Sequence, residues 1–140
     1  MKSKDFAAFI SEIIYTKKGF DVKIIDLKKL ATFADYFVIC SADADTQVKA
    51  IADEVDRKLT EEGIKCWHKE GFMALQWVLL DYVDVVVHIF KKEAREFYNL
   101  EKLWGDATII DVEDPFLKPK KVIPLKKKST GKSTAVKKKK

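Results

Sequence analysis

The sequence predicts an α/β domain, a mixed sheet of about five strands with helices packed on it, in the order α-β-β-α-β-β-β-α. Three observations carry that reading. Apolar residues recur at helical spacing in two separate segments, 6–14 and 48–59. Apolar, β-branched runs of strand length stand between and after them. The last two runs, 77–82 and 85–90, lie two residues apart, which leaves room only for an antiparallel hairpin.

Taken in order, the first helix follows from Phe6, Phe9, Ile10, Ile13 and Ile14, which share one face. Ser3 stands where an N-cap belongs and Gly19 where the helix should stop. Residues 22–27 make the first strand, and 28–35 connect it to the second, 36–41. The unbroken apolar character of 36–41 predicts a central strand covered on both faces. Asp45 or Thr46 can cap a second helix whose buried stripe is Val48, Ile51, Ala52, Val55 and Leu59, with Gly63 at its end. Residues 64–68 make a third strand, so that strand, helix and strand form a crossover unit, expected to be right-handed and parallel. A loop at 69–75 leads into the hairpin, and 93–104 close the body as one or two short helical turns. Residues 105–117 read as an ordered extension with Pro115 as a breaker.

Charge divides the chain sharply. Of the 27 Lys and Arg residues, 11 lie beyond residue 117 with no acidic residue among them, which leaves 16 basic against 22 acidic side chains in 1–117. The domain, 1–117, is therefore acidic, and the basic balance belongs to a Lys-rich tail, 118–140. That tail holds too little apolar surface to offset its ordering entropy and is expected to be disordered. Such a polycation attracts phosphate backbones without reading sequence, so RNA contact is expected of it. Cys40 and Cys66 make no disulfide framework and lack metal-site spacing. Cys40 reads as a small core residue and Cys66 as part of a strand. No signal-peptide or transit pattern and no long apolar run is present, so a cytoplasmic protein is expected, with no membrane span.

Few residues suggest chemistry. Asp81 and His88 lie on adjacent hairpin strands and can approach across the sheet, but no Ser, Cys or Gly-rich loop stands near them to complete a catalytic set. Asp43 and Asp45 form a D-x-D of the kind that holds Mg²⁺ in nucleotidyl transfer, yet Asp45 has a competing use as a helix cap. Trp67 and Trp77 can each stack a base, and Trp67 is expected to pack on its own sheet instead. On an extended strand, Trp77, Leu79 and Asp81 share one face and Val78, Leu80 and Tyr82 the other. A sheet packed on helices by one face can expose large apolar groups on the other, and Trp, Tyr and Arg are frequent interface anchors. Arg95, Tyr98 and Trp104 extend that supply.

The stretches ADYFVIC (34–40), QVKAIADEV (47–55), WVLLDYVDVVVHIF (77–90) and REFYNLEKLWGDA (95–107) resemble the ribosomal silencing factors, the Iojap-related proteins. The resemblance spans roughly residues 3–107. It implies a fold related to nucleotidyltransferases without their activity, and no metal or cofactor. It also implies a translational repressor that binds the large ribosomal subunit through ribosomal protein fourteen and blocks joining of the small subunit when nutrients are short. A homodimer in the free state is implied as well. Carried over by position, partner-binding residues are Trp77, Leu79, Leu80, Asp81 and Tyr82, with His88 and Phe90 from the hairpin return and Arg95, Tyr98, Lys102 and Trp104 from the helical segment; some of these only brace the surface. Three departures stand out. Val83 fills a hairpin position where the family commonly has Gly; a β-branched residue disfavours positive φ, which argues against the primed type of turn that Gly permits. The loop 42–45 is more acidic than usual, and 72–75 is unusually apolar, fit for a wider contact surface or for self-association. Two other functions remain open on the residues alone: a metal-dependent nucleotidyltransferase using Asp43 and Asp45, and an RNA-binding module driven by the tail.

Overall fold

Helix α1 (Ser3–Thr16) buries Phe6, Ile10, Ile13 and Ile14, and α2 (Asp45–Glu61) buries Val48, Ile51, Ala52, Val55 and Leu59, so both amphipathic stripes read from the sequence face the core. In the computed structural model, which describes residues 2–116, these helices cover one face of a single six-stranded sheet. Its strands are β1 (Phe20–Asp26), β2 (Tyr36–Ala42), β3 (His68–Glu70), β4 (Trp77–Asp81), β5 (Val85–Lys91) and β6 (Thr108–Val112). Two short helices, α3 (Lys92–Tyr98) and α4 (Leu100–Leu103), follow β5. The spatial order is β3-β4-β5-β2-β1-β6, with β2 and β5 parallel and every other pair antiparallel. As expected of a central strand, all seven residues of β2 are buried.

Several expectations are corrected. The sheet has six strands because the extension after residue 104 adds β6 at the edge beside β1. Residues 64–68 do not form the parallel partner of β2. That partner is β5, and the short strand, moved to His68–Glu70, runs antiparallel to β4 at the far edge. The apolar run here is interrupted by Lys65 and His68, and buried β-branched residues make β5 the better neighbour for a central strand. Cys66 consequently lies outside any strand, and Trp67 is 71% exposed instead of packing on the sheet. Neither helix takes its anticipated side-chain cap. Ser3 and Asp45 are each the first helical residue, and among the described residues the N-cap positions, Lys2 and Ala44, make no side-chain cap hydrogen bond.

The helix ends are better resolved by mechanism. Past α2, Gly63 adopts φ +79° and donates to the Thr60 carbonyl, while Ile64 N–H reaches Leu59, satisfying the last carbonyls. Past α1 the left-handed position falls to Lys18 at φ +67°, not to Gly19, and Gly19 N–H reaches Ile14 at 3.1 Å.

The strands' alternation sorts the apolar residues into two clusters. On the α1/α2 side Val22, Val38, Cys40, Val78, Leu80 and Val87 join the helices. On the reverse, Ile25, Phe37, Ile39, Val86 and Phe90 pack with Leu100, and Trp77, Leu79 and Trp104 lie partly buried against them. The tail, and the disorder expected of it, lies outside the described residues. Among those residues no helix is long and apolar enough to cross a membrane.

Candidate docking face

Strand β4 carries the alternation that defines the site. Trp77, Leu79 and Asp81 are half-buried on the reverse face, and Val78 and Leu80 are fully buried beneath the helices. Gly71 permits the chain to enter β4 closely, since a Cβ there would stand 2.0 Å from the Trp77 carbonyl oxygen. Register then sets the neighbours: Trp77 lies opposite Phe90 and Leu79 opposite His88. The Trp77 ring stacks on Phe90 at 4.8 Å and 27° and meets Tyr98 at 4.9 Å, while its indole Nε1–H donates to His88 Nδ1 at 3.1 Å. Phe37, Phe33 and Trp104 continue the cluster, with ring centroids about 6 Å apart.

His88 is 3% exposed, its ring 4.4 Å from Phe37. Burial holds its pKa down to about 3, so the imidazole is neutral near pH 7. It does not meet Asp81, as the hairpin seemed to allow. Asp81 is opposite Val86, and its Oδ1 accepts the Val83 N–H at 2.8 Å. Asp84 N–H returns to the Tyr82 carbonyl at 3.0 Å, closing a γ-type turn in which Val83 has φ +75°. The expectation that a β-branched residue would keep positive φ out of this turn is thus overturned. Tight closure through residues 82–84, with Tyr82 N–H bonded to the Val85 carbonyl at 2.9 Å, dictates the backbone, and Val83 accepts the strain.

Helix α3 is fastened from below. Arg95 is buried, its guanidinium bonded to Glu101 at 2.9 Å, to Ser41 Oγ at 2.9 Å and to the Asp21 carbonyl. Asn99 then breaks the helix at φ +47° and caps α4 by accepting Lys102 N–H. That break turns Tyr98 over Trp77 and leaves Phe97 and Leu103 81% and 72% exposed at the corner. Beside Arg95 opens a charged cleft of about 670 Å³ that includes Asp21, Lys92, Glu93 and Glu96.

The anticipated contact residues therefore divide. Trp77, Leu79, Asp81, Tyr98 and Lys102 reach the surface of this face or its rim, and Trp104 is half-buried. His88, Phe90 and Arg95 are buried and support it. Leu80 and Tyr82 do not belong to it, because the two-residue period of the strand turns them to the helix side. There Tyr82 packs edge-on against Phe6 and donates its hydroxyl to Asp56 at 3.0 Å, and burial pushes its pKa up. Sequence reading missed Phe33, 59% exposed, and the exposed Phe97 and Leu103. Phe33 was hidden in a segment read as a connector, although aromatic residues on a loop are themselves a signal.

The D-x-D carboxylates each pair with a lysine. Asp43 pairs with Lys92 at 3.3 Å and Asp45 with Lys91 at 3.2 Å, and among the described residues no group of three or more His, Cys, Asp or Glu converges. Burial pushes the Cys40 thiol up to about 12, in keeping with an inert core residue.

With this geometry in view, the sequence matches the profile of the family Ribosomal silencing factor during starvation over residues 1–140. The chain belongs to that family. The match runs through the Lys-rich tail, beyond the 3–107 span of the resemblance noted above. Ribosomal silencing factor RsfS of Bacillus subtilis is 42% identical over 113 residues, covering 81% of this chain and 96% of the relative. The chloroplastic protein Iojap of Zea mays is 32% identical over 107 residues, 76% of this chain and 46% of that longer protein. A crystal structure from Chromobacterium violaceum superposes with a TM-score of 0.73 at 34% identity, covering 75% of this chain and 88% of the other. Another, from Bacillus halodurans, gives 0.69 at 35% identity over 78% and 99%. The mixed α/β sheet is thus the fold of solved relatives.

Proposed function

We propose that this ribosomal silencing factor represses translation by docking its aromatic face on ribosomal protein fourteen of the large subunit, where its bulk prevents the small subunit from joining, under nutrient limitation. The observation that carries the reading is the half-exposed Trp77, seated on Phe90 and flanked by Tyr98, in a member of a ribosomal silencing family. A partly open aromatic cluster on a rigid sheet supplies a large contact area at little ordering cost, the property of interface anchors. Trp77, Leu79, Asp81, Tyr98 and Lys102 make the contacts in this reading. His88, Phe90, Arg95 and Trp104 brace them.

The mechanism is occupancy. No bond is made or broken, and neither metal nor cofactor takes part. The acidic domain suits a basic ribosomal protein, and the lysines of 118–140 add attraction to neighbouring rRNA. The free chain is a cytoplasmic homodimer.

Sedimentation of purified subunits mixed with the protein tests this. Wild type keeps the subunits apart, and Trp77→Ala weakens large-subunit binding by at least about 2 kcal/mol, roughly 30-fold. Deleting 118–140 weakens binding only partly, and most at low salt. Normal joining at saturating wild-type protein would sink the proposal, and abolition of binding by the deletion would favour a tail-driven RNA module. Transfer of labelled nucleotide in the presence of Mg²⁺, lost in Asp43→Ala, would instead reveal an enzyme.

A further inference from the structure

His88 sits at a position where an aliphatic residue would bury the same space with no polar penalty. Its Nδ1 takes the Trp77 indole N–H at 3.1 Å, which places the single proton of the neutral ring on Nε2. Nε2 is buried and has no hydrogen-bond partner among the described residues. A buried donor left unpaired carries a desolvation penalty of about 1–3 kcal/mol. The bond to the indole offsets only part of that penalty, so a histidine here adds little to the stability of the free domain. What the imidazole does supply is one acceptor, aimed at the indole of the half-exposed Trp77. The indole is consequently held from two directions, by Phe90 beneath the ring at 4.8 Å and by His88 at its nitrogen.

We infer that His88 is a positioning residue for docking: its Nδ1 acceptor locks the Trp77 indole in the one orientation the partner surface meets. The inference rests on the docking reading above. A Trp side chain on an open sheet face otherwise samples more than one rotamer, and ordering it on binding opposes affinity. The hydrogen bond moves that ordering into the free protein. The exposed surface of the ring then stays apolar, because its only donor is turned inward.

A matched pair of substitutions isolates the acceptor from the packing. His88→Leu and His88→Asn remove the ring alike and leave side chains of similar shape, but Asn places its Oδ1 near the position of Nδ1. Large-subunit binding should weaken about five- to tenfold in His88→Leu, the weight of one neutral hydrogen bond, and stay within about twofold of wild type in His88→Asn. The indole ¹⁵N–¹H resonance of Trp77, identified by its absence in Trp77→Phe, reports the bond without the ribosome. It should shift upfield in His88→Leu and hold its place in His88→Asn. Equal binding losses in both variants, or wild-type binding by His88→Leu alongside a weakened Trp77→Ala, would overturn the inference while leaving the docking reading intact. Wild-type binding by Trp77→Ala would remove the docking reading itself.

Discussion

The two faces of the sheet are built from alternate residues of the same strands, yet they solve different problems. Toward α1 and α2 the side chains are mostly aliphatic, fully buried and free of polar conflict, as with Val38, Leu80 and Ile89. On the reverse, buried Ile25, Ile39 and Val86 are joined by an aromatic set that is partly open at Trp77 and Trp104, and a histidine there has a nitrogen unpaired among the described residues. The first face is what the free energy of folding asks for. The second gives up burial and polar satisfaction, and the proposed docking rests on that difference. One strand, β4, contributes to both, so adjacent residues should report on different properties.

Leu80 and Trp77 give the sharpest separation. Leu80→Ala opens a cavity under α2 and should destabilise the fold by about 3 kcal/mol in urea unfolding, with docking unaffected at temperatures where the variant stays folded. Trp77→Ala should weaken subunit binding, which Leu80→Ala leaves unmoved, and it also costs some stability by uncovering Phe90 and leaving His88 Nδ1 without its donor. Tyr82→Phe belongs with Leu80 here, because its hydroxyl serves Asp56 and not the open face. If Tyr82→Phe impairs docking as strongly as Trp77→Ala, the division between the faces is wrong.

Acid sharpens the contrast next. His88 has a folded pKa near 3 against an ordinary value of 6.5, so the unfolded chain takes up a proton there that the folded chain refuses. Stability from this group is complete above about pH 7 and is lost as pH falls through 6.5, with a slope approaching about 1.4 kcal/mol per pH unit. Between pH 7.5 and 5 the loss should be about 2 kcal/mol in denaturant unfolding. His88→Leu should flatten that dependence. A slope that survives the substitution would assign the acid sensitivity to other groups.

The aliphatic face was the more legible of the two. Helical spacing alone identifies the buried stripes of α1 and α2, and the unbroken run 36–41 identifies the central strand, because burial selects residue type at every position. Strand partnership was less accessible. The choice of β5 over residues 64–68 as the neighbour of β2 depends on long-range competition that no local window contains. The turn was misread for a related reason: Val83 is a poor resident of φ +75°, but hairpin closure outweighed local preference. On the open face, Trp77 and Tyr98 stood out by type. Leu80 and Tyr82 come from the family resemblance by position, and strand alternation turns their side chains to the helix side. Phe33 comes from a connector between strands and meets Phe37 and Trp104 only through the fold.

Val83 belongs to neither face, and it supplies the smallest and most discriminating test. Its positive φ is disfavoured for any residue with a Cβ by about 1–2 kcal/mol, and more for a branched one. The side chain is 56% exposed, so little packing offsets that penalty. Glycine removes the strain but widens the unfolded ensemble, which returns about 0.4–1 kcal/mol. The balance for Val83→Gly is a gain of about 1 kcal/mol, seen as a midpoint several degrees higher on thermal unfolding. The Val83 N–H bond to Asp81 is a backbone bond and survives the change, so the β4 end of the open face should keep its geometry and docking should not move. Loss of stability would mean that the Val83 side chain contributes contacts that its exposure does not reveal. Gain of stability with weaker docking would mean that the strained turn is itself part of the surface, and the separation between a folding face and a docking face would then have to be redrawn to include the hairpin tip.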